Sequence, residues 1–313
     1  MVIMKQMKLS TLQALVAAVE EGSLRAAARR VGVSQPALTK MVRELEHELS
    51  AALLARSTTG VVPTVQGKVL YERACVAIRE LAGAVDEIQQ LGGHMVGELR
   101  IGAVPLAVML LIPETLRTFG REFRHVHLHI REELYIEQLM NLRRSDVDVA
   151  IGPIPDHLPQ GEFHTEALLP VSMVVVVRRG SALESAQSLE DLRSARWVYT
   201  GVGGITGYAR KLFERHGMQA PAVGATVNST LGLLSLIGSS GDFVGLMPEP
   251  LMRHPLASAF LSVPALREGP LALTVHAITK ADTALKPAVR QFLVHLHRAA
   301  HHIEQGADFW RLP

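Results

Sequence analysis

Leu9, Leu12, Leu15, Val16 and Val19 recur at steps of three and four, which predicts an amphipathic helix over residues 8–21, ended by Gly22. Leu24, Ala27, Ala28 and Val31 share one face of a shorter second helix, capped by Ser23 and stopped by Gly32. A third helix opens at Ser34, a good N-cap, with Pro36 near the first helical position, where its missing N–H costs nothing. It runs to about Leu49, with Leu38, Met41, Val42, Leu45 and Leu49 as its apolar stripe. Thr64 then caps a long helix reaching Gly92 and Gly93. Its Leu70, Ala74, Ala77, Leu81, Val85, Ile88 and Leu91 fall at alternating threes and fours, a heptad-like seam on a helix about 40 Å long.

After His94 the period changes. Strands are predicted over 98–104, 125–131, 147–152, 169–178, 197–200, 223–227, 243–247 and 271–279. Helices are predicted between them over 106–119, 135–144, near 189–192, over 207–216 and 231–237, and at the end over 284–302. Alternating strands and helices imply a mostly parallel sheet with helices on both faces.

The second and third helices, joined by a short turn containing glycine, make a helix-turn-helix. On the third helix Gln35, Thr39 and Arg43 lie four apart, opposite the apolar stripe and with Lys40 beside them. Gln and Arg can pair bidentately with adenine and guanine edges, and Thr can reach a base or a thymine methyl. Between Arg25 and Arg43 the charged residues are all basic, while Glu44, Glu46 and Glu48 follow in the C-terminal half. A turn around Gly60 forms a short wing, where Arg56 is placed either for a phosphate or minor-groove contact or for a structural salt bridge.

The chain has 313 residues, 48% hydrophobic, which exceeds one usual domain of roughly 100–200 residues. A formal net charge of +2 rules out a globally basic coat, so any nucleic-acid contact is local. Cys75 is the single cysteine, which excludes an internal disulfide and a cysteine-rich zinc site and suits a reducing cytoplasm. No apolar run approaches the roughly 20 residues that span a bilayer, and the first residues lack the pattern of a secretory signal.

Several spaced motifs in the first sixty-odd residues resemble the LysR-type regulator family. They are the alanines 26–28, Ser34-Gln35, Leu45-Glu46, Leu53-Leu54-x-Arg56 and Thr64-x-x-Gly67. Ser50 and Leu54 depart from it, standing where the family usually has Gly and Phe. The resemblance implies a winged helix-turn-helix, a long linker helix and a two-lobed α/β domain similar to periplasmic binding proteins. The expected divisions are residues 1–65, 66–93 and 94–313, with one lobe of about 94–168 plus 274–302 and another of 169–273. It implies double-stranded DNA carrying a pseudo-palindromic operator as partner, read by Ser34, Gln35, Pro36, Thr39, Lys40, Arg43 and Arg56. It implies self-association through the linker helix into dimers, and tetramers as in many members, with no cofactor and no catalysis. Packing of the seam on the chain's own C-terminal domain is the other account.

Ligands in such sheets sit at the carboxyl ends of strands, near helix N-termini. That rule singles out Pro105, Leu106, Glu133, Gly152, Thr200, Thr206, Asn228 and Met247 as effector-binding candidates. The glycine-rich turn between Thr200 and Thr206 is the leading cradle for a carboxylate, so a small organic acid is expected. Asn228, Ser229 and Thr230 serve equally as a plain helix cap. Glu133 is suited to repelling anions or binding an amine. His125, His127 and His129 share a strand face, and His297 and His301 a helix face. No acid or cysteine completes either set, so solvated faces are the simpler account and no metal is expected. An enzyme of the α/β cleft or a solute-binding protein are the rival readings. Against them stand the lack of a G-x-S-x-G, H-E-x-x-H or P-loop motif, and the helix-turn-helix itself.

Overall fold

The computed structural model describes residues 7–57, 60–133, 135–155, 158–200, 207–282 and 284–305. The chain divides into two compact units, Met1–Gly93 and His94–Pro313.

In the first unit, α1 (Leu9–Glu21), α2 (Leu24–Val31) and α3 (Gln35–Leu49) pack through Ala14, Ala17, Ala18, Ala27, Ala28, Leu38 and Val42. Small side chains on α1 and α2 let the helices approach closely while Leu38 and Val42 fill the centre. Ser23 and Ser34 cap α2 and α3, accepting from Ala26 N and Ala37 N. Ser50 ends α3 in the left-handed region at φ 49°, the position where glycine is favoured. The antiparallel pair β1 (Leu54–Ser57) and β2 (Gly60–Pro63) follows, then the 27-residue α4 (Val65–Leu91).

Three contacts fasten this wing to the helices. Glu46 accepts from Leu53 N and Leu54 N at 2.8 and 3.2 Å. Thr64 caps α4 by accepting from Gly67 N at 2.9 Å, and its hydroxyl donates to Ala52 O at 2.7 Å. A Cβ on Gly67 would stand 1.8 Å from Leu53 O, so the first turn of α4 lies directly on the wing backbone.

The second unit is built on one nine-stranded sheet in the order β4-β3-β5-β11-β6-β9-β7-β8, with β10 paired to β6. The strands are β3 (Val96–Ala103), β4 (His125–Glu132), β5 (Val149–Pro153), β6 (Phe163–Arg178), β7 (Arg196–Thr200), β8 (Val223–Val227), β9 (Phe243–Pro248), β10 (Leu261–Ser262) and β11 (Leu271–Lys280). Two parallel groups, β4-β3-β5 and β9-β7-β8, flank the long antiparallel pair β11 and β6. The helices are α5 (Ile112–Glu122), α6 (Tyr135–Arg143), α7 (Tyr208–Arg215), α8 (Thr230–Ser239), α9 (Pro255–Ser258) and α10 (Pro287–Glu304). The main core joins sheet residues such as Ile101, Val149 and Val275 to Phe119 and Phe292, which meet edge to face at 5.6 Å.

Beyond β6, which begins at Phe163 rather than 169, and the unpredicted α9 and β10, three helical details differ from the sequence reading. The helix predicted from 106 begins as a π-helical turn, Ala107–Leu111, before α5. The helix expected near 189–192 is a run of turns, held by Asp191 accepting from Gln187 N and Ser188 N. Its buried Leu189 and Leu192 pack as a helix face would, and Leu192 O accepts from the Trp197 indole at 2.8 Å. The last helix starts at Pro287 rather than 284, as expected of a residue with no N–H to donate.

Candidate functional site

The first candidate surface lies on α3. Burial of Leu38, Val42 and Leu45 fixes the rotation of the helix, and Gln35, Pro36, Lys40 and Arg43 are left exposed. Thr39 is half-buried, its hydroxyl donating to Gln35 O at 2.9 Å, which leaves the oxygen lone pairs outward. Ser34 stands at the exposed entrance as the cap. Gln35, Pro36, Thr39, Lys40 and Arg43 line one groove together with Lys8 before α1, Thr11 of α1, and Glu44, His47 and Glu48 farther along α3. Lys40 is 3.8 Å from Glu44, an exposed pair that costs little to open. For Arg56 the description covers the backbone, in β1 opposite Val61.

The acidic and basic residues around this face sort into structural and available groups. Glu46 is consumed by the wing amides. Arg30 pairs with Glu20 and Glu21 at 2.6 and 3.2 Å and is thereby removed from the basic stretch. Arg25, Arg29, Lys40 and Arg43 remain exposed.

The second candidate site is a cavity of about 120 Å³ in the sheet unit. Val171 and Met173 of β6 and Leu273 and Val275 of β11 form its floor. One wall is the chain after β3 (Val104, Pro105, Leu106), Pro153 closing β5, and Glu137 in the first turn of α6. The other is Thr200 ending β7, Gly207 and Tyr208, the Asn228-Ser229-Thr230 step into α8, and Met247-Pro248 ending β9. Polar groups gather at this second wall. Ser229 caps α8 by accepting from Gly232 N at 3.0 Å, while the first N–H groups of the helix have no intrahelical acceptor. Ser229 is a cap, and Asn228, Ser229 and Thr230 all line the cavity.

Of the effector candidates, Pro105, Leu106, Thr200, Asn228 and Met247 line the cavity. Glu133 and Gly152 are not among its lining residues, and Thr206 lies outside the described residues. Gly152 faces the Gln138 amide instead. Glu133 is buried beside Gly102, where a Cβ would stand 2.6 Å from its Oε2. Burial pushes its carboxyl above the usual range, with a hydrogen bond from Asn141 acting in the other direction. Sequence reasoning missed the floor residues, Tyr208 and Glu137. Glu137 was within reach of the rule used elsewhere, since it sits in the helix start that follows β4.

The histidines stand nearer to acids than their sequence spacing implies. His129 Nε2 lies 3.7 Å from Glu98 Oε1, and His297 Nε2 lies 2.7 Å from Glu166 Oε2. Even so, no group of three His, Cys, Asp or Glu side chains suited to a metal ion occurs among the described residues. None of the described helices is long and apolar enough to cross a membrane.

Comparison with known proteins bears on both sites. Residues 9–68 match the bacterial regulatory helix-turn-helix protein family of lysR type. Residues 92–301 match the LysR substrate binding domain. The chain is 24% identical over 257 residues to the HTH-type transcriptional regulator TdcA of Escherichia coli K12, covering 81% of each. It is 27% identical over 297 residues to the HTH-type transcriptional regulator TfdS of Cupriavidus pinatubonensis, covering 92% of this chain and 97% of that one. Its fold matches full-length CbnR in complex with target DNA with a TM-score of 0.68 at 21% identity, over 93% of this chain and 99% of that one. The chain belongs to the LysR family of transcriptional regulators, joining that family's DNA-binding helix-turn-helix to its effector-binding domain.

Proposed function

We propose that this regulator reads a pseudo-palindromic operator with Ser34, Gln35, Pro36, Thr39, Lys40 and Arg43, that Arg56 assists from the wing, and that a small organic acid modulates this binding. The divisions proposed are a DNA-binding domain of residues 1–65, a linker and dimerisation helix of 66–93, and an effector domain of 94–313. Within the last, lobes of about 94–168 plus 274–302 and 169–273 hold the effector between them. Two copies pair through the linker helix, and pairs associate further into tetramers. A cytoplasmic site of action, with no enzyme activity, follows from that role.

The observation that carries the DNA reading is the rotation of α3. Leu38, Val42 and Leu45 are buried while Leu49 at the far end is exposed, so Gln35, Lys40 and Arg43, with half-buried Thr39, lie on the outer face of a helix that begins at a capped N-terminus. Recognition helices read the major groove with such N-terminal residues. CbnR, whose fold is similar, binds target DNA in its structure. For the effector, support comes from an apolar cavity near the volume of one that holds benzene, about 150 Å³, with its hydroxyl and amide groups at a helix start.

The test uses duplexes selected from random sequence by the purified parent protein. Gln35→Ala and Arg43→Ala each lose about 1–3 kcal/mol of specific binding and relax base preference at one position. Binding of both variants with the affinity and preference of the parent overturns this assignment.

A further inference from the structure

The charged lining of the cavity is one-sided. Among the described residues that line it, Glu137 is the single carboxylate and there is no Lys, Arg or His. No hydrogen bond or ion pair occupies the Glu137 side chain among the described residues, and it is exposed. In the strand order, β3 and β5 with the adjoining Glu137 lie on one side of β11 and β6, and β9, β7 and β8 lie on the other. Glu137 therefore stands at one wall, and the Ser229-Thr230 start of α8 at the opposite wall, with the apolar floor between. A neighbouring cavity of about 210 Å³ shares Ser229 and Thr230 and is lined by Glu132 together with His254, so it lacks the one-sided charge of the first.

These poles ask for different groups. An unengaged carboxylate beside an apolar floor attracts an ammonium, because an opposite charge there is desolvated on one side only and retains its attraction. The free N–H groups and hydroxyls at the start of a ten-residue helix attract a carboxylate. A plain organic acid satisfies the second pole and leaves Glu137 without a counter-charge. An ammonium group on the same molecule supplies the opposite charge there. We infer that the effector is an α-amino acid with an apolar side chain, its ammonium held at Glu137, its carboxylate at Ser229 and Thr230, and its side chain over Val171, Met173 and Val275. This inference rests on the cavity being the effector site and specifies the class of acid it takes.

The experiment is calorimetric titration of the full-length protein, supported by thermal shift. The probes are L-alanine, L-valine and L-phenylalanine. Each is set beside the acid lacking the amino group and the amine lacking the carboxylate. At least one amino acid is expected to bind ten-fold or more tightly than both of its truncated partners, a difference of about 1.4 kcal/mol. Glu137→Gln abolishes the advantage over the des-amino acid and leaves the affinity of that acid within two-fold of the parent. Ser229→Ala retains the preference for amino acid over acid while weakening both.

Tighter or equal binding of the des-amino acids overturns the inference and leaves the organic-acid reading standing. Preference for the amines overturns it at the carboxylate pole. Binding of none of the nine probes overturns the assignment of class. A probe that binds equally well to the parent, Glu137→Gln and Thr200→Val shows that its site is elsewhere, which sinks the cavity reading itself.

Discussion

The Glu133 carboxyl is held among buried side chains at the end of β4, with 8% of the residue exposed and Oε2 without a partner. Its backbone N donates to Ala103 O at 2.9 Å, which pins it under the strand end rather than in the cavity. Desolvation raises its pKa in the folded state. The folded protein then binds this proton more readily than the unfolded chain, so stability falls as pH rises from the unfolded carboxyl value through the raised folded one. Above that window the whole penalty is present; below it there is none. Glu133→Gln keeps an acceptor for Asn141 and removes the charge. Its thermal midpoint is expected to exceed the parent's at pH 8 and to match it near pH 4. A parent and variant that differ equally at both values show that the side-chain shape, not its ionisation, sets the difference. In sequence Glu133 is indistinguishable from a site residue, because it follows a strand end as the real lining residues do. The missing Cβ at Gly102, about 100 Å of extended chain away by sequence but adjacent in space, leaves the room that its carboxylate occupies.

At the scale of elements, the helix-turn-helix was legible because its information is local. Capping serines, a Pro at the first turn and a stripe at steps of three and four specify α3 within fifteen residues. The cavity floor was not legible, since it depends on β6 and β11 pairing across nearly a hundred residues with a register shift at Val275 and His276. Strand alternation gives a face but not the neighbour it meets. The wing lies between these cases. Thr64 is readable as a cap, but the need for Gly67 arises from Leu53 O, to which a Cβ would come within 1.8 Å. Backbone is the obstacle, so it cannot be relieved by a rotamer change. Gly67→Ala is expected to cost about 1–3 kcal/mol as an overpacking substitution, measured by urea unfolding of a fragment ending at Gly93 beside the full chain. Operator affinity falls with it, because the wing and α4 separate. An alanine variant as stable as the parent, with unchanged DNA binding, means the first turn of α4 shifts freely.

At the scale of the whole molecule, α4 carries two different surfaces along one seam. Leu70 packs against the cluster of Leu15, Leu45 and Leu53, and Ala74 is buried, so the first half is satisfied within its own unit. That corrects the reading of a single pairing seam from Leu70 onward: the tight α1–α4 packing claims its start. Farther along, Leu81, Val85, Ile88 and Leu91 are 53%, 55%, 70% and 70% exposed at spacings of four, three and three. Each large aliphatic side chain withdrawn from water contributes about 1.5–3 kcal/mol, and a two-fold pairing withdraws the set from both copies. Pairing also places two recognition helices on one duplex, which converts the second half-site contact into an intramolecular event. Leu81→Glu with Ile88→Glu puts charge into that stripe, while Glu remains a good helix former, so α4 itself persists. Light scattering at micromolar concentration is expected to give the parent at least twice the 34.1 kDa of one chain and the double variant a single chain mass. Affinity for a duplex bearing both half-sites drops steeply in the variant, whereas affinity for a lone half-site stays within a few-fold of the parent. A monomeric parent refutes the pairing outright. A variant that remains dimeric with unchanged helicity assigns the interface to another surface, and equal losses on both duplexes show that the substitutions damaged the reading head rather than the assembly.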